Sequence, residues 1–296
     1  MQTQMPNKVL VLGASGMLGN SLFRYFSEKA EYTTLGTVRK DAALKLVNEQ
    51  GFNNITSGID ITNINSIENV ICDFKPDVVF NCIGVIKQLD AAKNNIQSIS
   101  INSLLPHQLA ELCTLHSAKL IHFSTDCVFT GSRGGYVESD FADAPDLYGR
   151  SKLLGEVTYD GHLTLRTSII GHEISSHHSL VDWFLNQENE VDGYSSAIFS
   201  GLPTCYMAEV LDKFILPNKE LSGLRHLSVS PINKYDLLTI VRNIYGKETI
   251  INKSSKLIID RSLNSEQICH ETGFVADNWL NLIKRMNNEY NRYFTK

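Results

Sequence analysis

The sequence contains no Cys-X-X-Cys pair. Its six cysteines, at positions 72, 82, 113, 127, 205 and 269, stand apart, and none keeps metal-ligand spacing with a histidine. That excludes a zinc ribbon or finger and a paired-thiol redox centre, so no metal is expected. Most of these cysteines lie in apolar runs, where a free thiol behaves as a small hydrophobe, and the expectation is a reduced, cytoplasmic chain. No run approaches the ~20 apolar residues of a membrane span. Met1 to Pro6 lacks a basic stretch followed by an apolar one, so neither a secretory leader nor membrane contact is expected. Clusters of Lys and Arg are also missing and the net charge is −5, which argues against a nucleic-acid partner. A nucleotide-sized ligand remains open, since one loop and one or two cations suffice for it.

What is present is ordinary globular material, 43% hydrophobic and 20% charged over 296 residues, enough for one large domain or a domain with a smaller lobe. Lys8–Leu12 is a short β-branched run that stops at Gly13, after which Leu18, Leu22 and Phe26 recur at helical spacing. The alternation continues with strands near Tyr32–Val38 and Ile55, helices over Asp41–Glu49 and around Ser66–Phe74, and a buried strand Asp77–Asn81. A helix started or kinked at Pro106 runs into Leu115. Lys119–Ser124 then reads as strand, Tyr148–Tyr159 as helix and Leu163–Thr167 as strand. This rhythm predicts an α/β fold of the Rossmann type, a doubly wound parallel sheet covered on both faces. Beyond about Gly171 the pattern turns irregular, with helices over Ser179–Gln187, Met207–Leu216, Lys234–Tyr245 and Asp277–Tyr290 and a loop with a short strand over Gly193–Pro203. The expected division is a dinucleotide-binding domain over 1–170 and a smaller, mostly helical C-terminal substrate lobe over 171–296, part of it returning to the sheet.

Three signals carry chemistry. Gly13-Ala-Ser15-Gly16-Met17-Leu18-Gly19 lies between the first strand and the first helix. Missing side chains there let the backbone turn sharply and approach a pyrophosphate at the helix N-terminus. Just past the second strand, where an NAD site carries an acidic residue for the ribose, this chain has Thr37-Val-Arg39-Lys40. A guanidinium suits a 2′-phosphate, so NADP(H) is expected over NAD. Asp60, with Ile61 beside it, follows the third strand and fits either a bond to the adenine amino group or a helix cap.

The third signal is Tyr148-Gly-Arg-Ser-Lys152, whose spacing of four brings an ammonium near a phenol on one helix face. Lowering a tyrosine by about three pKa units from ~10 takes about 4 kcal/mol. One positive charge at ~4 Å with an effective dielectric of ~20 supplies about that much. Spacing alone is weak, since Tyr25-Phe-Ser-Glu-Lys29 has it too. That pair projects from later turns of the first helix, whereas Tyr148 follows a strand ending in Ser124-Thr125-Asp126, where a second hydroxyl can meet the phenol. Thr125, Tyr148 and Lys152 are the expected catalytic residues.

Together with Pro76-Asp-Val-Val-Phe-Asn81, Phe123-Ser-Thr-Asp-Cys-Val-Phe129, Tyr148–Glu156, Leu165-Arg-Thr-Ser168, Arg261-Ser-Leu-Asn264 and Trp279, these features resemble the extended short-chain dehydrogenase/reductases. Within them, the chain is similar to the dTDP-4-dehydrorhamnose reductase group over nearly its whole length. The resemblance implies NADPH-dependent reduction of a 4-keto group on a nucleotide-linked deoxysugar, in activated-sugar and polysaccharide biosynthesis. It implies that Thr125 polarises the keto oxygen, Tyr148 donates the proton, and Lys152 lowers the tyrosine pKa and holds the nicotinamide ribose. Cys82, Ile83 and Gly84 would line the cofactor with Asn102 nearby. Asp126 and Ser168 would meet the sugar, as would Lys87, for which a snorkelling surface lysine is an equal reading.

One departure is Cys127, where the group often has an aromatic residue. The absence of a carboxylate after Asp126 speaks against a 4,6-dehydratase. A cysteine there resembles the base of GDP-fucose synthase, with His172, His177 or His178 as a partner or simply as loop residues. The alternatives are thus a nucleotide-sugar epimerase or epimerase-reductase using Cys127, and a non-catalytic NADP-binding subunit like the beta subunit of methionine adenosyltransferase. A nucleotide-sugar substrate is the expected partner, and a homodimer is left open.

Overall fold

The computed structural model describes residues 7–85, 94–175 and 178–295. Its main sheet begins with β1 (Lys8–Leu12), β2 (Thr33–Thr37), β3 (Ile55–Thr56) and β4 (Val78–Asn81) and continues with β5 (Lys119–Thr125) and β6 (Leu163–Thr167). All pairings are parallel. Side chains along β1 alternate between two cores: Val9 and Val11 join one, Leu10 and Leu12 the other. Both faces are therefore buried, and that is why these strands read as unbroken apolar runs.

The helices α1 (Met17–Ser27), α2 (Asp41–Glu49) and α3 (Ile64–Phe74) connect the first strands. In α1, Leu22, Phe23 and Phe26 are fully buried, each contributing about 1.5–3 kcal/mol of transfer free energy. Next come α4 (Asn95–Ser98), a π-helical stretch Ile99–Leu104 and α5 (Leu105–Leu115). Pro106 stands at the start of α5, and its missing N–H cannot serve the preceding turn, so the ladder widens there. The spacing predicts a helix from Tyr148 to Tyr159, but α6 (Leu147–Leu154) is shorter. Thr164 Oγ1 takes both backbone groups of Val157, at 3.0 and 2.7 Å, and draws the chain towards β6.

After β7 (Ile169–Ile170) and α7 (Leu180–Leu185) comes the largest difference from the sequence reading. The segment expected as loop with a short strand holds β8 (Glu190–Phe199), ten residues long, and β9 (Leu202–Pro203). α8 (Thr204–Val210) runs into a π-helical stretch Leu211–Ile215, and β10 (Gly223–His226) pairs with β6 as the outer strand of the main sheet. β11 (Ile232–Asn233), α9 (Lys234–Tyr245), β12 (Ile250–Asp260), α10 (Glu266–Thr272) and α11 (Trp279–Tyr293) complete the chain. β11 and β12 flank β8 in a three-stranded sheet. The lobe is thus mainly helical but built round a sheet. The seven-stranded order β10-β6-β5-β4-β1-β2-β3 reverses direction between β1 and β4, and a crevice opens at such a reversal beyond the strand ends.

Candidate active site

The loops after β1 and β4 flank that crevice. Gly13 has φ +83°, and a Cβ on Gly19 would lie 2.2 Å from the Gly13 carbonyl oxygen, so a larger residue at 19 would force α1 off the strand. A Cβ on Gly16 would meet nothing closer than 3.5 Å, leaving the space above the turn clear. The first turn of α1 has no side-chain cap and no acidic residue, so its N–H groups and the positive end of the helix dipole are available to an anion. Ser15 lies in the glycine loop just before this turn, and Met17 and Leu18 lie in it. Arg39 is exposed past the end of β2, and its charge acts on Asp60. These residues fit a dinucleotide carrying a 2′-phosphate.

Two other expected cofactor residues also brace the chain around the crevice. Asp60 Oδ1 accepts from Thr62 N and Oγ1 at 3.0 and 2.8 Å, bonds that hold the Asp60 carboxyl below the usual range. Ile61 packs half-buried beside it. Asn102 is 1% exposed. Its Oδ1 accepts from Val85 N at 2.9 Å, and its Nδ2 donates to Val85 O and Ser151 Oγ at 3.2 Å each. The amide therefore ties the loop with Cys82, Ile83 and Gly84 to α6. Lys87 lies outside the described residues.

Thr125 ends β5, and its hydroxyl accepts from Cys127 N at 3.1 Å, capping the 3₁₀ turn Asp126–Val128. α6 packs closely on this turn: a Cβ on Gly149 would lie 2.3 Å from Cys127 O. The close approach brings Tyr148 to Thr125, its hydrogen-bond partner. Lys152, 6% exposed, donates to Phe123 O at 2.6 Å and lies 3.4 Å from His122 Nε2. Burial pushes its pKa down to about 8, against the pull of Glu156 and Cys82. The expected lowering of the Tyr148 pKa is not what this geometry gives. Burial, then Cys127, raises it, with Asp126 and Asp146 adding to the rise and only the Thr125 bond opposing. At the decoy pair, Tyr25 donates to Asp212 at 2.8 Å, and Lys29 reaches the same carboxylate at 3.3 Å. That pair clamps α1 to the π-helical stretch after α8.

Asp126 is buried beside Ser168. Burial raises its carboxyl, while Arg261 and bonds from Cys127, Thr125 and Ser168 work against that rise. Two cations join them that the motifs do not assign to the site. In the lobe sheet, Asn233 and Asp260 flank Ile198 from either side, which sets the next residues, Lys234 and Arg261, at one end of it. Arg261 Nε donates to Phe129 O at 2.9 Å and Nη1 reaches Cys127 Sγ at 3.6 Å. Lys234, its pKa lowered by burial, feels Asp126, Arg261 and Cys127. Burial pushes the Cys127 thiol up to about 11, which keeps it protonated near neutrality. His172 is bound elsewhere, to Asp182 and to Tyr245 at 2.8 Å. His178 is exposed, with its N–H on Glu173, and His177 lies outside the described residues. Beneath the site, Arg166 and Glu156 from the two resemblance motifs form a buried two-pronged pair at 2.7 Å per bond.

The family model described as the RmlD substrate binding domain matches residues 7–236. The chain belongs to this family. Among relatives, the dTDP-4-dehydrorhamnose reductase of Aggregatibacter actinomycetemcomitans is 27% identical over 241 residues, 77% of this chain and 76% of that protein. The methionine adenosyltransferase 2 subunit beta of Bos taurus is 29% identical over 157 residues, and the match spans 52% of this chain and 43% of the bovine one. Among solved structures, the dTDP-4-dehydrorhamnose reductase of Bacillus anthracis in complex with NADP superposes with a TM-score of 0.76 at 21% identity, covering 96% of this chain and 99% of that one. The family's fold thus extends through the lobe, beyond the matched segment.

Proposed function

We propose that the chain is an NADPH-dependent reductase of the 4-keto group of a nucleotide-linked deoxysugar, acting in activated-sugar and polysaccharide biosynthesis. The observation that carries this reading is the close seating of α6 on the turn after β5, which brings Tyr148 beside Thr125 at the crevice with Lys152 one turn further along the same helix. Lys152 interacts with Cys82, and Cys82 Cβ would touch a side chain at Gly19 at 3.2 Å, so the lysine end of α6 and the glycine loop share one cleft. The relatives' names support the substrate class.

Bound NADPH supplies a hydride to the keto carbon; the chain's own part is the proton. In reduction Tyr148 must be protonated before it acts, and its upward-shifted pKa ensures that. Thr125 holds the phenol, and the Lys152 ammonium stabilises the phenolate left after the proton goes to the new alkoxide oxygen. Lys234 and Arg261 give this mouth the positive charge that a sugar diphosphate needs. The cofactor half would be residues 1–170 and the sugar-facing lobe 171–296. Six free thiols fit the cytoplasm.

Protonated Cys127, with neither His172 nor His178 beside it, gives the epimerase reading no support, and the intact trio has no use in a purely regulatory subunit. The deciding experiment is incubation with NADPH and a panel of nucleotide-linked 4-keto-6-deoxysugars, with products identified by NMR. Absence of any 4-hydroxy product across the panel overturns the reading. For the cofactor, calorimetry should show NADPH binding at least about tenfold more tightly than NADH, about 1.4 kcal/mol, with Arg39→Ala abolishing the difference.

A further inference from the structure

Asn81 and His122 are register partners on β4 and β5, 1% and 0% exposed, and neither has a part in the chemistry above. Asn81 Oδ1 accepts from Ile83 N at 3.1 Å, which fixes the orientation of the amide. Its Nδ2 is then the atom that meets His122 Nδ1 at 3.0 Å. An amide nitrogen only donates, so Nδ1 must be the ring nitrogen with the lone pair. The ring itself is neutral, because burial and the charges of Lys152 and His107 all push its pKa well down. A neutral imidazole that accepts at Nδ1 carries its proton on Nε2. That nitrogen lies 3.4 Å from Lys152 Nζ.

We propose that His122 is a positioning residue for Lys152: Asn81 locks the imidazole in its Nε2–H form, and this N–H faces the lysine amine and favours its uncharged state. An ammonium has no lone pair, so N–H would confront N–H, whereas the free amine accepts the bond while Phe123 O holds it from the other side at 2.6 Å. The remaining groups that act on Lys152 favour the ammonium and are already committed. Glu156, four residues on and just past the end of α6, is paired with Arg166 and bonded by Ser124. Burial raises the Cys82 thiol, so it carries no charge near neutrality. From α5, His107 acts on the ring rather than on the amine. Burial lowers Lys152 to about 8, and the ring N–H works in the same direction. Since the ammonium stabilises the Tyr148 phenolate, turnover declines as pH rises through that value. This consequence rests on the function proposed above; the tautomer does not.

The full chain, labelled with ¹⁵N-histidine, gives a two-bond ¹H–¹⁵N correlation for each ring, and His122→Gln identifies the one concerned. The expected result is an Nε2–H pattern unprotonated between about pH 5 and 9, with the Nε2 shift moving as Lys152 titrates. An Nδ1–H pattern or an imidazolium overturns the proposal, whether or not any sugar is reduced. The second arm is the pH–rate profile with NADPH. In Asn81→Asp the carboxylate accepts instead of donating, the ring reverses, and the alkaline limb should move up by about one pH unit. An equal shift in the His122→Phe background would be charge alone and would overturn coupling through the ring. Failure to reduce any sugar, with the Nε2–H form present, sinks the functional reading and leaves the tautomer lock standing.

Discussion

The hydroxyl of Tyr148 and that of Tyr25 share a sequence spacing with lysine and differ in everything around them. Tyr148→Phe removes the proton donor and keeps the ring, so turnover should fall about 10²–10⁴-fold while NADPH affinity changes by only a few-fold. Tyr25→Phe removes one of two tyrosine bonds to Asp212, which keeps Tyr32 at 2.6 Å. It should lower stability by about 1.5–3 kcal/mol without altering kcat. Steady-state kinetics, cofactor titration and urea melts on both variants separate the two roles. Retention of more than about a tenth of the activity in Tyr148→Phe would show that another group gives the proton. Cys127→Ser should keep reduction and leave the sugar's C3 and C5 free of solvent deuterium, since the thiol sits at about 11; deuterium at either carbon in the wild type would restore the epimerase reading.

At the scale of elements, the critical contact is α6 against the turn after β5. Gly149→Ala places a methyl within 2.3 Å of Cys127 O and must push the helix away, carrying Tyr148 and Lys152 with it. Misplacement by about 1 Å costs as much as 10²-fold, so kcat should fall steeply while NADPH affinity, set largely by the α1 turn, holds. Unchanged kcat in Gly149→Ala would mean that the helix is not seated by this approach. The elements around that contact were legible because each is a plain apolar run or an amphipathic period bounded by turn residues, as in Lys8–Leu12 or Lys234–Tyr245. β8 was not, because Asp192, Gly193, Ser195 and Ser196 interrupt it. It is a strand because β11 and β12 pair with it on both sides, a tertiary choice that overrides local preference. β12 hides likewise behind a polar centre and a register shift between Ser254 and Ile258. The same concealment covers part of the site. Thr125, Tyr148 and Lys152 stand in one recognisable stretch of sequence, whereas Lys234 and Arg261 become neighbours only through the lobe sheet. For Lys234 the sequence offers no mark beyond the start of a helix.

Across the whole molecule, the first and last helices are clasped together. Arg24 on α1 is buried and pairs with Glu289 on α11, which also accepts from Ser21 at 2.7 Å. Glu289→Ala would strand a buried guanidinium and should reduce the unfolding free energy by about 3–5 kcal/mol. Arg292→Ala breaks the exposed pair with Glu28 and a contact over the Tyr293 ring and should cost about 1 kcal/mol. Denaturant unfolding of the two variants measures both, and equal losses would contradict the distinction.

This clasp also orders events during synthesis. Arg24 emerges from the ribosome more than two hundred residues ahead of Glu289, and β6 emerges well before β10, its outer neighbour. Until residues 223–226 have been made the dinucleotide-binding half has a strand edge it cannot cover, and until residue 289 has been made it holds a cation it cannot pair. α1 can be clasped only once α11 has arrived, so a chain stalled short of residue 289 exposes surfaces of the kind that chaperones and proteases engage.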